Sequence, residues 1–182
     1  MSIPRVLGIC GSLRLGSYNR RLLEAATAAL ADVDWTIARL RGIPPYDSDI
    51  EGRGVPPSVQ QLKDQIEAAD AIVIATPEYN HSIPGLLKNA IDWASRPAMS
   101  SPFVGKPVLM MAASPGRGGA LRALTHLSEV LESMGAVPLP DVVSVPSVRL
   151  RIVDGVPDEA LAQELRDALA GLPLHRRVAA AV

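Results

Sequence analysis

Apolar runs of strand length alternate with longer segments of helical period, which predicts an α/β protein: a doubly wound parallel sheet with helices on both faces. Three observations carry that expectation. The run 71–76 (AIVIAT) is apolar without alternation, as suits a strand buried on both sides. The intervening segments place Leu22, Leu23, Ala26 and Leu30, and then Leu62, Ile66 and Ala69, on single helical faces. No internal repeat or linker divides the 182 residues, so one domain around one core is expected, burying roughly 70% of the unfolded surface.

The five expected strands are 5–10 (RVLGIC), 35–40 (WTIARL), 71–76, 108–113 (VLMMAA) and 137–145. The helices between and after them are expected at about 19–31, 58–69, 84–94, 119–134 and 158–172. Punctuation supports several boundaries: Ser58 precedes the second helix, Pro84 opens the third, and Gly171 and Pro173 close the last. The one loose connection, 41–57, is rich in Gly and Pro and long enough to be a binding or subunit-contact loop.

Composition narrows the function classes. With 48% hydrophobic residues, 20% charged and a net charge of −1, the chain is neither disordered nor a polyelectrolyte, and it lacks the basic footprint of a nucleic-acid binder. A lone cysteine, Cys10, excludes a disulfide framework and cysteine-rich metal centres. His81, His126 and His175 are scattered without ligand spacing, so no metal site is expected. The first strand-like run starts within four residues of Met1, and no apolar stretch approaches the ~20 residues of a membrane span. A cytoplasmic protein without signal peptide or membrane partner is the expectation.

In an open α/β sheet, ligands bind beyond the carboxyl ends of the strands, so the loops after strands one, three and four should share a site. The first, Gly11-Ser12-Leu13-Arg14-Leu15-Gly16-Ser17-Tyr18-Asn19, is suited to an anion: hydroxyls from Ser12 and Ser17, the planar donor fork of Arg14, and the positive end of the next helix. It is neither the dinucleotide G-x-G-x-x-G nor a Walker loop, and Cys10 stands where a nucleophile elbow needs glycine. A plain turn with Ser17 or Asn19 as helix cap is the alternative. The second loop, Thr76-Pro77-Glu78-Tyr79-Asn80-His81-Ser82-Ile83-Pro84, is stiffened by prolines into a platform for a flat ring, with Tyr79 placed to stack. The third, Ser114-Pro115-Gly116-Arg117-Gly118-Gly119, allows close approach by a ligand. Cys10 reads as a small buried hydrophobe, Asp92 as a salt-bridging helix residue, and Leu86, Leu87, Ala90, Ile91 and Trp93 as core or subunit interface. Arg149, Arg151, Arg176 and Arg177 read as solvated surface.

Gly11-Ser12-Leu13-Arg14 with Ser17 and Asn19, followed by Pro77-Glu78-Tyr79-Asn80, Ser82, Pro84-Gly85 and Leu87-Lys88-Asn89-Ala90-Ile91-Asp92-Trp93, resembles the NADPH-dependent FMN reductase family. This flavodoxin-like group includes quinone, chromate and azo-dye reductases. The resemblance runs from about Arg5 to the final helix and implies one FMN-binding domain over 1–182, with sheet order 2-1-3-4-5. It also implies non-covalent FMN, NADPH or NADH as reductant, and a homodimer or homotetramer. Carried over, Ser12, Arg14, Ser17, Tyr18 and Asn19 match the phosphate loop. Pro77, Glu78, Tyr79 and Asn80 match the isoalloxazine loop, while Ser114, Gly116, Gly118 and Gly119 match the third flavin loop, here one residue short of the family pattern.

The leading expectation is therefore an FMN-dependent NAD(P)H oxidoreductase that reduces small acceptors such as quinones, free flavin, azo compounds or chromate by a ping-pong scheme. No side chain is assigned a catalytic role, since flavin carries the chemistry. The alternative is a flavodoxin-like electron carrier without NAD(P)H turnover, against which the charge of −1 counts, because such carriers are strongly acidic. A flavin-free scaffold is the third possibility.

Overall fold

The computed structural model describes residues 3–97 and 100–174. Three central strands, β1 (Arg5–Cys10), β3 (Ala71–Ala75) and β4 (Pro107–Ala113), run parallel. The edge strand β2 (Asp34–Ile37) pairs with β1, while β5 (Val137–Pro138) and β6 (Val143–Val145) both lie beside β4. The path β2-β1-β3-β4-β5 is the order that the resemblance implies.

Side chains of the central strands alternate between two apolar layers because successive Cβ atoms point to opposite faces. Ile72 and Ile74 pack on one face with Leu62 and Ile66 of α3 (Pro57–Ala68), Leu87 and Ile91 of α4 (Gly85–Ala94) and Leu127 and Leu131 of α5 (Leu121–Ser133). Val73 and Ala75 pack on the other with Leu22 and Leu23 of α1 (Tyr18–Ala29) and Leu161 and Leu165 of α7 (Glu159–Ala170). Burial of both faces explains the unalternating apolar runs.

Two expected strands are shorter than their apolar runs. The run 35–40 leaves the sheet after Ile37 because Leu40 turns into the core, and Gly42 at φ 92 reverses the chain. The run 137–145 is split into β5 and β6. Pro138 and Pro140 have no N–H for the ladder, and residues 138 to 143 span a stretch that β4 covers from Val108 to Met111, so the surplus bulges away. The connection 41–57 contains the short helix α2 (Ser48–Glu51) and is pinned to α4. Asn89 accepts from the Tyr46 N–H at 2.7 Å and donates to the Pro44 carbonyl, which also accepts from the Trp93 indole. The buried residues Leu87, Ala90, Ile91 and Trp93 are core, as expected, and Asp92 pairs with Lys88 at 2.6 Å.

Beyond β6 the chain makes a one-turn helix α6 (Val148–Arg151) and a hairpin, β7 (Ile152–Val153) with β8 (Val156–Pro157). Arg151 grips Asp158, the N-cap of α7, with both arms of its fork, and this pairing with the Leu161 N–H holds the Asp158 carboxyl below its ordinary range. His175, Arg176 and Arg177 lie outside the described residues.

Candidate functional site

Register aligns the strand ends. Cys10 lies beside Ala75 and Ala75 beside Met111, so the loops after β1, β3 and β4 leave the sheet at one edge. Between them is a crevice of about 320 Å³ lined by Ser12, Arg14, Ser17, Tyr18, Asn19, Pro77, Glu78, Tyr79 and Ser114, joined by Ala113, Pro115 and Arg149. Nine of the expected site residues therefore meet in one place. Asn80, Gly116, Gly118 and Gly119 sit in the same loops without lining the crevice. A larger groove of about 600 Å³ lies at the opposite end of β1 and β2, but its glutamines and its mixed Arg5, Asp34 and Asp64 offer no convergent charge.

The loop after β1 is built to leave donors free. Gly11 lacks a side chain because a Cβ there would meet Thr76 Oγ1 at 2.8 Å, and the Gly11 N–H bonds the Ala75 carbonyl, tying the loop base to β3. Ser17 caps α1 by accepting from the Arg20 N–H, and the first-turn N–H groups of Tyr18 and Asn19 have no helical partner by construction. Asn19 is buried and already engaged. Its amide donates to the Ala113 carbonyl at 3.0 Å and accepts from the Ala113 N–H at 2.8 Å, fastening α1 to the end of β4. Arg14 has no carboxylate within ion-pair distance among the described residues. Cys10 donates to the Ser12 carbonyl, and burial pushes its thiol up, away from a nucleophilic thiolate.

The loop after β3 is rigid for a different reason. Tyr79 and Ser82 exchange both backbone hydrogen bonds, at 2.9 and 3.0 Å, around Asn80 at φ 51 and His81 at φ 63. Two consecutive positive φ values make this a tight hairpin turn of the I′ kind, which Asn tolerates better than other non-glycine residues. Asn80 therefore shapes the backbone, and Tyr79, 55% exposed, stands at the crevice rim. Glu78 faces the crevice but is bound elsewhere. Helix α5 starts from Ala120 at φ 62 with no side-chain cap and no acid in its first turn. The Glu78 carboxylate replaces that cap. Partial burial opposes its charge, but His81, the N–H groups of Ala123 and Arg122, and the Arg122 charge outweigh burial and hold its pKa below the ordinary value. His81 Nδ1 lies 2.7 Å from Arg122 Nη1 and 3.3 Å from Glu78 Oε1, so it accepts from the first when bare and donates to the second when protonated.

The loop after β4 is held from β6. A Cβ on Gly119 would fall 2.1 Å from Ser144 Oγ, and Ser144 donates to the Gly119 carbonyl, so this glycine serves internal packing. Ser114 Oγ accepts from the Gly116 N–H, and Gly116 and Gly118 are exposed. The residue that sequence reasoning passed over is Arg149. It is exposed, as expected of surface, but it lines the crevice and donates from Nε to the Tyr18 hydroxyl at 3.1 Å. Its partner is 131 residues away, and no local pattern marks the pair.

The family model for NADPH-dependent FMN reductases matches residues 4–149. An NAD(P)H-dependent FMN reductase of Pseudomonas aeruginosa is 43% identical over 170 residues, covering 89% of this chain and 91% of that one. A quinone reductase of Escherichia coli K12 is 39% identical over 171 residues, covering 92% and 90%. Among solved structures, FerB, a flavoenzyme NAD(P)H:(acceptor) oxidoreductase from Paracoccus denitrificans, superposes with a TM-score of 0.85 at 33% identity, over 94% of this chain and 97% of that one.

Proposed function

Because this chain belongs to the NADPH-dependent FMN reductase family, we propose that it is an FMN-dependent NAD(P)H oxidoreductase whose acceptors are small flat molecules, quinones first. One observation carries the fit to FMN. The crevice walls present two guanidiniums, Arg14 and Arg149, without a carboxylate partner among the described residues, beside the N-terminal turn of a 12-residue helix. That is the charge pattern of a phosphate site.

Ser12, Arg14, Ser17 and the first-turn N–H groups of Tyr18 and Asn19 would hold the phosphate. Pro77, Glu78 and Tyr79 from the loop after β3, with Asn80 setting its turn, and Ser114 from the loop after β4, with Gly116, Gly118 and Gly119 shaping it, would border the ring. Bound there, FMN supplies two-electron redox chemistry between a nicotinamide and an acceptor. The protein's own work is to bind, orient and exclude water. The Cys10 thiol is held in its neutral form by burial, and Glu78 is held as a bound carboxylate by α5, so neither serves as nucleophile or proton donor.

A flavin seated against these loops offers one open face to its substrates, so NAD(P)H and acceptor bind by turns in a ping-pong scheme. The quinone reductase among the relatives supports quinones, and free flavin, azo compounds and chromate are the further candidates. Exposed apolar side chains such as Leu15, Leu121 and Leu150 support a homodimer or homotetramer that covers them. Among the described residues no helix is long and apolar enough to cross a membrane.

Purified protein loaded with FMN should lose its flavin absorbance on anaerobic addition of NADPH and recover it with a quinone. Initial rates over a grid of both substrates should give parallel double-reciprocal lines. Intersecting lines would overturn the shared pocket, and a flavin that NADPH leaves oxidised would favour an electron carrier.

A further inference from the structure

Resting on the FMN reading above, we propose that Arg149 is a second guanidinium ligand of the FMN phosphate and that Tyr18 positions it. A phosphate monoester carries close to two negative charges at neutral pH, and the loop after β1 supplies one side-chain cation, Arg14. The helix end adds a partial charge. Arg149 brings the crevice to a charge that matches a dianion, and the one carboxylate in the lining, Glu78, is neutralised by Arg122 and the start of α5.

The placement of Arg149 is built. Ser147, at φ 48, donates its N–H to the Gly116 carbonyl at 2.9 Å, and the next N–H, of Val148, bonds the Ser114 carbonyl at 3.0 Å. The Val148 side chain is fully buried, so α6 is nailed to the loop after β4, one residue before Arg149. From there Arg149 Nε bonds the Tyr18 hydroxyl, and the Tyr18 ring is itself set against Arg21, whose guanidinium carbon stands 5.9 Å from the ring centroid. Using Nε for tyrosine leaves both terminal amino groups of the fork for an anion, the bidentate geometry that phosphate prefers. Tyr18 opens α1, so the group that orients Arg149 and the helix end that receives the phosphate are the same turn.

Equilibrium titration of FMN and of riboflavin against wild type, R149A, R149K and Y18F tests this. R149A should lose tenfold or more in FMN affinity with riboflavin affinity unchanged, R149K should recover part of that loss, and Y18F should lose a few-fold for FMN alone. Unchanged FMN affinity in R149A overturns the proposal, and so does an equal loss for both flavins, which would make Arg149 merely structural. A selective rise in KM for NADPH over NADH with FMN affinity intact also overturns it, by assigning Arg149 to the dinucleotide. Wild type that binds neither flavin refutes the FMN reading itself, before any variant is compared.

Discussion

The loop after β1 and the loop after β3 meet across one crevice, yet they spend their charged groups in opposite ways. Arg14 has no carboxylate partner among the described residues and faces the crevice with its charge available. Glu78 faces the same crevice with its charge already used to start α5. On the proposed reading, the difference separates two kinds of conspicuous residue: one that receives the ligand, and one that holds the wall of the crevice. Asn19 and Asn80 belong with Glu78, since one joins α1 to β4 and the other turns the β3 loop.

The sharpest way to break this division is through Asn19. Replacing it with Ala removes two hydrogen bonds and leaves the Ala113 N–H and carbonyl buried without partners, a loss of about 2–4 kcal/mol in stability by chemical denaturation. A loss of FMN affinity with stability intact would instead make Asn19 a ligand.

Glu78 comes next. Glu78→Gln should cost about 1 kcal/mol, the usual worth of a helix N-cap. Its folded pKa lies below the unfolded value of about 4.3, so its contribution is present above that pH and fades as pH falls through the folded value. The variant's stability should therefore fall less steeply than wild type between about pH 4.5 and the acid limit, measured by thermal melts across pH. Identical acid profiles would remove Glu78 from the scaffold.

The smallest effect is at the turn. Asn80→Gly should change stability by less than about 1 kcal/mol, because glycine accepts φ 51 freely, whereas Asn80→Val, β-branched at a positive φ, should cost about 1–3 kcal/mol. Equal stabilities for the two would show that the turn is not under this constraint.

Much of the frame was legible in the sequence because it rests on local periodicity. The parallel sheet, the two helical layers and the edge that gathers Ser12, Tyr18, Pro77 and Ser114 follow from strands and helices whose patterns lie within a dozen residues, while the sheet order was legible only through the family resemblance. The split of the last strand was also written there, in Pro138 and Pro140, but the apolar run around them reads as continuous. Other features were not local. Glu78 is readable as a cap only once α5 is seen to lack one 42 residues later, at Ala120. Arg149 is readable as a crevice residue only through Tyr18, at the far end of the chain. Gly119 illustrates the reverse: its motif pointed to a ligand, and Ser144 occupies the space instead.

The most direct measurement is the ratio of FMN to riboflavin affinity, compared between Arg14→Ala and Glu78→Gln. Removing a charged hydrogen-bond partner of the phosphate should lower FMN affinity by roughly ten- to a hundredfold while riboflavin is unaffected, so the ratio collapses in Arg14→Ala. In Glu78→Gln the ratio should stay at the wild-type value. A preserved ratio in Arg14→Ala, or a collapse in Glu78→Gln, would contradict the division between waiting and supporting residues.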